Sequence, residues 1–174
     1  MTNNPTSPRL TGAASTAAVP AHHADALEIL CSDHEEARAL ADECRRFART
    51  VAPEPDIAEL ERTAETLCHV LGMLSEIEEE LFYPVARTAL PTSQVIDVAK
   101  LEHATAKQII RQMQLTDPCS PRYEALLVAL SDCVERHVQH EQSELFPRVR
   151  AAHLDLEALG ERMSLRQEQL RAHH

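Results

Sequence analysis

The chain has 174 residues with 44% hydrophobic and 3% aromatic content, three glycines, and a formal net charge of −11. That length favours one domain with a hydrophobic core, and the shortage of aromatic residues and glycine disfavours a strand-rich fold. The negative charge argues against nucleic acid or an anionic membrane surface as a partner, because both attract basic proteins.

The N-terminal segment, residues 1–21, is rich in Ser, Thr, Ala, Pro and Asn, and this composition predicts a disordered extension. The segment has no continuous apolar stretch of the kind that a signal peptide requires. No apolar run in the chain approaches the roughly 20 residues of a membrane span. The five cysteines are an odd number without the spacing of a disulfide framework, which predicts reduced thiols and a cytoplasmic location.

Four helices are predicted after this extension, each separated from the next by a break that contains proline. They run from about His22 to Thr50, from about Ile57 to Leu90, from the sequence PTS after Leu90 to about Leu115, and from about Arg122 to Ala152. Apolar residues recur at helical spacing in all four. Short turns between long helices make neighbours antiparallel, so the sequence predicts an all-α, up-down antiparallel four-helix bundle over residues 22–152. Residues 153–174 form a C-terminal tail, either a short fifth helix or a frayed end.

A histidine or a glutamate interrupts the apolar face of every predicted helix. These residues are His34 in the first helix, Glu78 in the second, His103 in the third, and His137 and Glu141 in the fourth. Counted from the breaks at a rise of about 1.5 Å per residue, they lie at one level to within about one helical turn. The sequence therefore predicts a polar layer across the middle of the bundle.

Burying these groups is costly without a partner, because an unpaired buried carboxylate is destabilised and tends to protonate. Two carboxylates and three histidines have a common partner in a cation, and this donor set suits iron, manganese or zinc. His137 and Glu141 are four residues apart and therefore reach the same centre from one face of the helix. The alternative is a metal-free core in which histidines bond carboxylates, or a solvated helix face for the two glutamates.

Around these residues the chain resembles the hemerythrin-like family, also called the HHE cation-binding family. The similar segments are, in order, ILCSDHEEARAL, EIEEELFYP, KLEHATAKQII and HVQHEQSELFP, and the resemblance covers about residues 22–152. The resemblance implies a four-helix bundle that holds a non-haem di-iron centre. It also implies that His34, His103 and His137 are terminal ligands and that Glu78 and Glu141 are bridging carboxylates.

Two positions depart from the family pattern. Leu74 stands where the family has a histidine, one turn before the glutamate of the second helix, and Lys107 stands where oxygen-carrying members have a further histidine. None of the nearby polar side chains points in the direction that a replacement for Leu74 needs. These departures weaken the hypothesis of a reversible oxygen carrier and leave one metal position with open sites for water, peroxide or substrate.

The other polar residues near the predicted layer are assigned to different roles. Glu79, next to Glu78, is expected on the surface. His140 is expected to form an exposed helical pair with Glu144, or alternatively to donate to a carboxylate behind the ligands. Cys133, one turn before His137, could line the pocket.

The leading hypothesis is a di-iron protein that binds or reacts with dioxygen, peroxide or nitric oxide. Its role would be sensing, detoxification, or an oxidase- or peroxidase-type activity. One alternative is a module that holds a single iron, zinc or manganese ion without catalysis, or that stores dioxygen or iron. Another is a degenerate bundle that acts through partners by its acidic surface. The number of bound metal ions discriminates between these functions.

Overall fold

The computed structural model describes Met1 and residues 24–49 and 56–172 of the chain. Within these ranges the secondary structure is helical, and we number the helices α1 to α5. α1 is Ala26–Arg49; α2 joins Ile57–Ile77, Glu78–Phe82 and Tyr83–Ala89; α3 is Gln94–Gln114; α4 joins Pro121–His140, Glu141–Leu145 and Phe146–Ala151; α5 is Leu156–Ala172. The predicted all-α fold is confirmed. The predicted extension over residues 1–21 lies outside the described residues except for Met1, and the predicted domain boundaries stay a prediction.

Four of the helices form the bundle that the sequence predicts. α1 packs against α2 and α4, α3 packs against α4, and a smaller contact between α2 and α3 completes the ring. Asp25 accepts hydrogen bonds from the backbone N–H groups two and three residues later, at 2.8 and 2.9 Å. α1 therefore begins at Ala26, and the predicted start near His22 lies outside the described residues. Asp56 and Ser120 cap α2 and α4 in a similar way.

α2 and α4 each contain a five-residue π turn that begins at a predicted site glutamate. In α2 the N–H of Tyr83 bonds to the carbonyl of Glu78, five residues earlier. Pro84 follows at once, and its ring crowds the carbonyl four residues back in a regular α-helix, so a wider turn gives the ring room. α4 repeats this arrangement from Glu141 to Pro147. The sequence analysis predicted continuous helices here but not the π turns.

The C-terminal tail is a fifth helix of 17 residues, and its middle is packed against α1 and α2. Leu159, Met163 and Leu170 are buried in the hydrophobic core. Gly160 permits this close approach, because a Cβ atom at this position would lie 2.6 Å from the backbone oxygen of Ala24. The alternative of a frayed end is therefore wrong for residues 156–172.

The hydrophobic core consists of two clusters, and the change from one to the other falls at the level of the polar layer. In α1 the change lies between Leu30 and Ala37, which flank His34. In α4 it lies between Val138 and Leu145. Apolar packing above and below thus keeps water away from the polar layer. Across the described ranges, no helix combines the length and the apolar composition that a membrane crossing needs.

Candidate metal centre

All five predicted site residues are buried and lie together in the middle of the bundle. His34, Glu78 and Glu141 are 0% exposed, and His103 and His137 are 6% exposed. Ligand atoms of His34, Glu78, His137 and Glu141 all lie within 4.8 Å of one another. His103 lies outside this group of four, but its Nε2 atom is 3.0 Å from Oε2 of Glu78. Their role as metal ligands stays a prediction.

Glu78 lies between two sets of histidines. Its Oε1 atom is 3.3 Å from Nε2 of His34. Its other oxygen, Oε2, faces His103 and is 3.7 Å from Nε2 of His137. Glu141 occupies a similar place, with Oε2 at 3.5 Å from His34 and 3.9 Å from His137. Each carboxylate is therefore within reach of both sides of the layer.

Several of these buried polar atoms have no hydrogen-bond partner among the described residues. They are both ring nitrogens of His34, Oε1 of Glu78, and both carboxylate oxygens of Glu141. An unsatisfied buried polar atom costs about 1–3 kcal/mol, more when it is charged. Ligand atoms about 2.0–2.2 Å from one ion approach each other to about 3 Å without a proton between them. Convergent lone pairs at 3.3 to 3.5 Å, as around His34, therefore fit a bound cation.

The two central carboxylates have opposite protonation tendencies. Burial by itself would raise the pKa of Glu78, but the nearby imidazoles of His103, His137 and His34 hold this pKa well below its usual value. Burial, followed by repulsion from Glu78, raises the pKa of Glu141 well above its usual value. One buried site thus disfavours two ionised carboxylates. A cation between them would remove that repulsion and allow both to be ionised.

His103 and His137 each have a second carboxylate behind the ring. Nδ1 of His103 is 3.0 Å from Oε1 of Glu79, and Nδ1 of His137 is 3.3 Å from Oε2 of Glu102. A carboxylate that accepts the Nδ1–H leaves Nε2 unprotonated and directed at the centre, which is the usual arrangement behind metal-bound histidine. The two Nε2 atoms are 3.3 Å apart.

The inward position of these outer carboxylates was not predicted from the sequence. Glu79 was expected on the surface, but its side chain is 33% exposed and also bonds Lys107, with Nζ at 2.8 Å. Glu102 was not considered, although it directly precedes His103. Nδ1 of His140 is 3.4 Å from Oε2 of Glu102 but forms no hydrogen bond in the described structure, so the expected donation to a carboxylate stays a prediction. Glu79 and Glu102 each adjoin a predicted ligand in the sequence. Which acidic residues point inward, however, depends on how α3 packs against its neighbouring helices.

The two aromatic residues that precede the helix prolines contact different sides of the layer. The hydroxyl of Tyr83 lies 3.3 Å from Oε2 of Glu78 and 3.3 Å from Nε2 of His103. Phe146 stacks parallel to the ring of His34, with the ring centroids 5.6 Å apart. The side with His103 is therefore hydrogen-bonded, and the side with His34 is apolar.

An apolar cavity of about 40 Å³ adjoins the layer at Leu74. Leu74 is 4% exposed and lines this cavity together with His103 and His137. Cys133 is also on the wall, as the sequence analysis anticipated. One water molecule needs about 10–15 Å³ of cavity volume, so the cavity has room for a small molecule beside the histidines.

Comparison with known proteins agrees with this arrangement. The family model described as the hemerythrin HHE cation binding domain matches residues 25–149. A crystal structure of a hemerythrin HHE cation binding domain-containing protein from Mycobacterium kansasii is similar, with 26% sequence identity and a TM-score of 0.68. The similarity covers 86% of this chain and 88% of that one. Among curated proteins, none matches the sequence.

Proposed function

The chain belongs to the hemerythrin HHE cation-binding domain family, and on this basis we propose that it holds a non-haem di-iron centre that binds or reacts with dioxygen, peroxide or nitric oxide. The observation that supports this proposal most directly is the set of buried His and Glu atoms without hydrogen-bond partners. Five inward polar side chains in an otherwise apolar core would be costly unless cations neutralised them. Sensing, detoxification, and an oxidase- or peroxidase-type activity are the roles that suit such a centre.

In the proposed centre two sets of ligand atoms would each hold one ion, although His137 also lies within 4.8 Å of the ligand atoms around His34. His34 faces Oε1 of Glu78, and His103 and His137 face Oε2 of the same carboxylate. Glu141 is within 4 Å of both His34 and His137. Glu78 and Glu141 would therefore bridge the two positions, and the three histidines would be terminal. When bound, iron supplies Lewis acidity and electrons, and the protein supplies position and a dry site.

The cavity beside Leu74 would admit the small ligand. Its walls are mainly apolar, with Leu71, Ala106, Ile110 and Val134 among the lining residues. Lys107 also lines the cavity and is 42% exposed, so the cavity meets solvent near this side chain. A narrow apolar space favours uncharged diatomic molecules and peroxide over larger or charged compounds. A histidine in place of Leu74 would take up part of this space.

A single-ion module without catalysis is the second candidate function, and Leu74 favours it. Leu74 offers no donor atom to a second ion, and Nδ1 of His34 has no partner in the described structure. The same donor set suits manganese or zinc as well as iron, and storage of iron or dioxygen is a related alternative. The cytoplasmic location stays a prediction from the odd number of cysteines.

The first experiment is the metal content per chain, measured by elemental analysis on protein purified without a histidine tag, together with its optical spectrum. Two irons per chain with the absorption of a ferric pair would support the di-iron proposal, and additions of dioxygen, peroxide and nitric oxide would then identify the ligand. One ion per chain would support the single-ion module. No bound metal would contradict both.

A substitution at the centre tests the same proposal independently. Glu141→Ala should abolish metal binding and lower the Tm of the protein as purified, because an ion that binds only the folded state stabilises it. The matched control is Glu144→Ala, on the same helix, whose carboxylate pairs with Arg148 at 2.7 Å on the surface. Unchanged metal content and Tm in Glu141→Ala would contradict the role of this glutamate.

A further inference from the structure

We infer that the two metal positions are unequal: the position at His103 and His137 fills first and retains its ion, and the position at His34 fills second and exchanges readily. This inference rests on the proposed function and concerns the side chains behind the ligands. Its consequence is that the protein holds one ion when metal is scarce. The two-ion form, and the reactivity that needs two ions, would appear only when free metal is more abundant.

The first observation is the support behind His103 and His137. Each ring has a carboxylate at its Nδ1 atom, Glu79 at 3.0 Å and Glu102 at 3.3 Å. Such a partner fixes the ring orientation and the tautomer and raises the basicity of the ligand nitrogen, and its removal typically lowers metal affinity about 10–100-fold. Both nitrogens of this position are therefore directed at the ion before it arrives.

The second observation is that these outer carboxylates are themselves held in place. Lys107 donates to Glu79 at 2.8 Å. Nδ1 of His140 is 3.4 Å from Oε2 of Glu102, and Nε of Arg136 is 4.0 Å from its other oxygen, Oε1. A cation beside each carboxylate keeps it ionised and oriented toward the histidine. At this position, therefore, carboxylates orient the two histidines, and further side chains orient the carboxylates.

The third observation is that His34 has no equivalent support. Its Nδ1 atom is buried and without a hydrogen-bond partner in the described structure. The adjacent carboxylate, Asp33, instead accepts a hydrogen bond from Gln167 of α5 at 2.6 Å. Phe146 covers the ring face. The ring tautomer is therefore not fixed, and the ion at this position would have one terminal histidine instead of two.

The experiment is an anaerobic titration of the metal-free protein with Co²⁺, followed by calorimetry and by the visible spectrum of the bound ion. We expect two steps whose dissociation constants differ by about 100-fold or more, because the His34 position has one histidine instead of two and no outer carboxylate. His34→Ala should remove the second step and leave the first within about threefold. Helix content, measured for each metal-free variant, verifies folding.

Variants of the outer carboxylates test the cause of the difference. Glu79→Ala and Glu102→Ala should each weaken the first step about 10–100-fold and move the spectrum of the first ion, with little effect on the second step. Glu102→Gln retains an acceptor oxygen and should restore part of the affinity. The matched control is Glu80→Ala. Glu80 is next to Glu79, but its carboxylate bonds Arg166 at 2.8 Å, so this substitution should affect neither step.

The outcomes separate this inference from the proposed function. Two steps of equal affinity, or a first step that disappears in His34→Ala, would overturn the inference and leave the two-ion centre intact. Unchanged first-step affinity in both alanine variants of the outer carboxylates would also overturn it. Binding of one ion per chain, or no binding, in the unmodified protein would overturn the two-ion centre itself.

Discussion

The π turns of α2 and α4 have the same backbone arrangement. When Pro84 is aligned with Pro147, Glu78 corresponds to Glu141, and each glutamate begins a five-residue π turn that ends just before the aromatic residue and its proline. Both glutamates are completely buried. The backbone therefore presents a carboxylate to the centre in the same way from two helices.

Two of the differences between the side chains of the two segments lie beside the polar layer. Leu74 in α2 corresponds to His137 in α4, and Tyr83 corresponds to Phe146. The imidazole from α4 and the hydroxyl from α2 both act on the side of His103. Phe146 instead stacks on His34, and Leu74 lines the apolar cavity beside the layer without offering a donor. The two π turns thus have the same backbone conformation but carry different side chains. Substitutions that exchange residues between α2 and α4 test this comparison.

The largest effect is expected from His137→Leu, which gives α4 the residue of α2. The substitution removes a ligand and leaves Glu102 without the Nδ1 partner at 3.3 Å. Metal affinity should fall by more than about 100-fold, because even the loss of an outer partner costs about 10–100-fold. Calorimetric titration with Co²⁺ measures the change, and an affinity within threefold of the original would contradict it.

The opposite exchange, Leu74→His, gives α2 the residue of α4. The new imidazole would supply a further donor beside the layer, and we expect the second ion to bind about 10–100-fold more tightly. Elemental analysis at limiting metal should then give close to two ions per chain. Leu74→Val is the control, because it changes the size of the side chain without adding a donor. Equal metal content in the two variants would argue against an open position at Leu74.

An intermediate effect is expected from Pro84→Ala and Pro147→Ala, which remove the residues that we regard as the cause of the π turns. Both prolines are exposed, so little packing is lost. Proline in a helix interior is about 3 kcal/mol less favourable than alanine. The metal-free variants should therefore be more stable, by about 1 kcal/mol or more, yet bind metal more weakly because the glutamates change direction.

Urea unfolding of the metal-free protein measures the expected gain in stability, and calorimetric metal titration measures the expected loss of affinity. A gain in stability without a loss of metal affinity would mean that the direction of the glutamates does not depend on the prolines. A loss of both would mean that the prolines stabilise the helices in this context.

The smallest effect is expected from Tyr83→Phe, which makes α2 resemble α4 at this position. The hydroxyl lies 3.3 Å from Oε2 of Glu78, and the loss of such a hydrogen bond costs about 1 kcal/mol. We expect the free energy of unfolding of the metal-free protein to fall by this amount, with a severalfold loss of metal affinity. Urea unfolding is the measurement, and no change in it would mean that the hydroxyl is not a donor to Glu78.

The helices and the polar layer were predictable because both depend on periodicity. Helical spacing places His34, Glu78, His103, His137 and Glu141 on apolar faces, and the positions of the breaks set their height. The structure brings these five side chains together, and their function as ligands remains the prediction that metal analysis tests. The family match over residues 25–149 confirms the resemblance that the four motifs indicated.

The outer contacts were not predictable, because they join helices that are distant in sequence. Glu102 meets His137 across 35 residues, and Glu79 meets His103 across 24. Nothing in the local pattern distinguishes these acids from exposed ones such as Glu80, because helical periodicity defines a face but not which neighbour lies against it. The docking of α5, through Gly160 and the hydrogen bond from Gln167 to Asp33, likewise depends on tertiary packing.

The sequence by itself determined the helices, the order of the site residues and the absence of a histidine at Leu74. Only the tertiary structure decided that the two sides of the layer differ, because that difference depends on which side chains of neighbouring helices meet each histidine. Local periodicity comes from the geometry of a single helix. Hydrogen-bond partners of buried groups are selected by the packing of several helices at once, to within a fraction of an ångström.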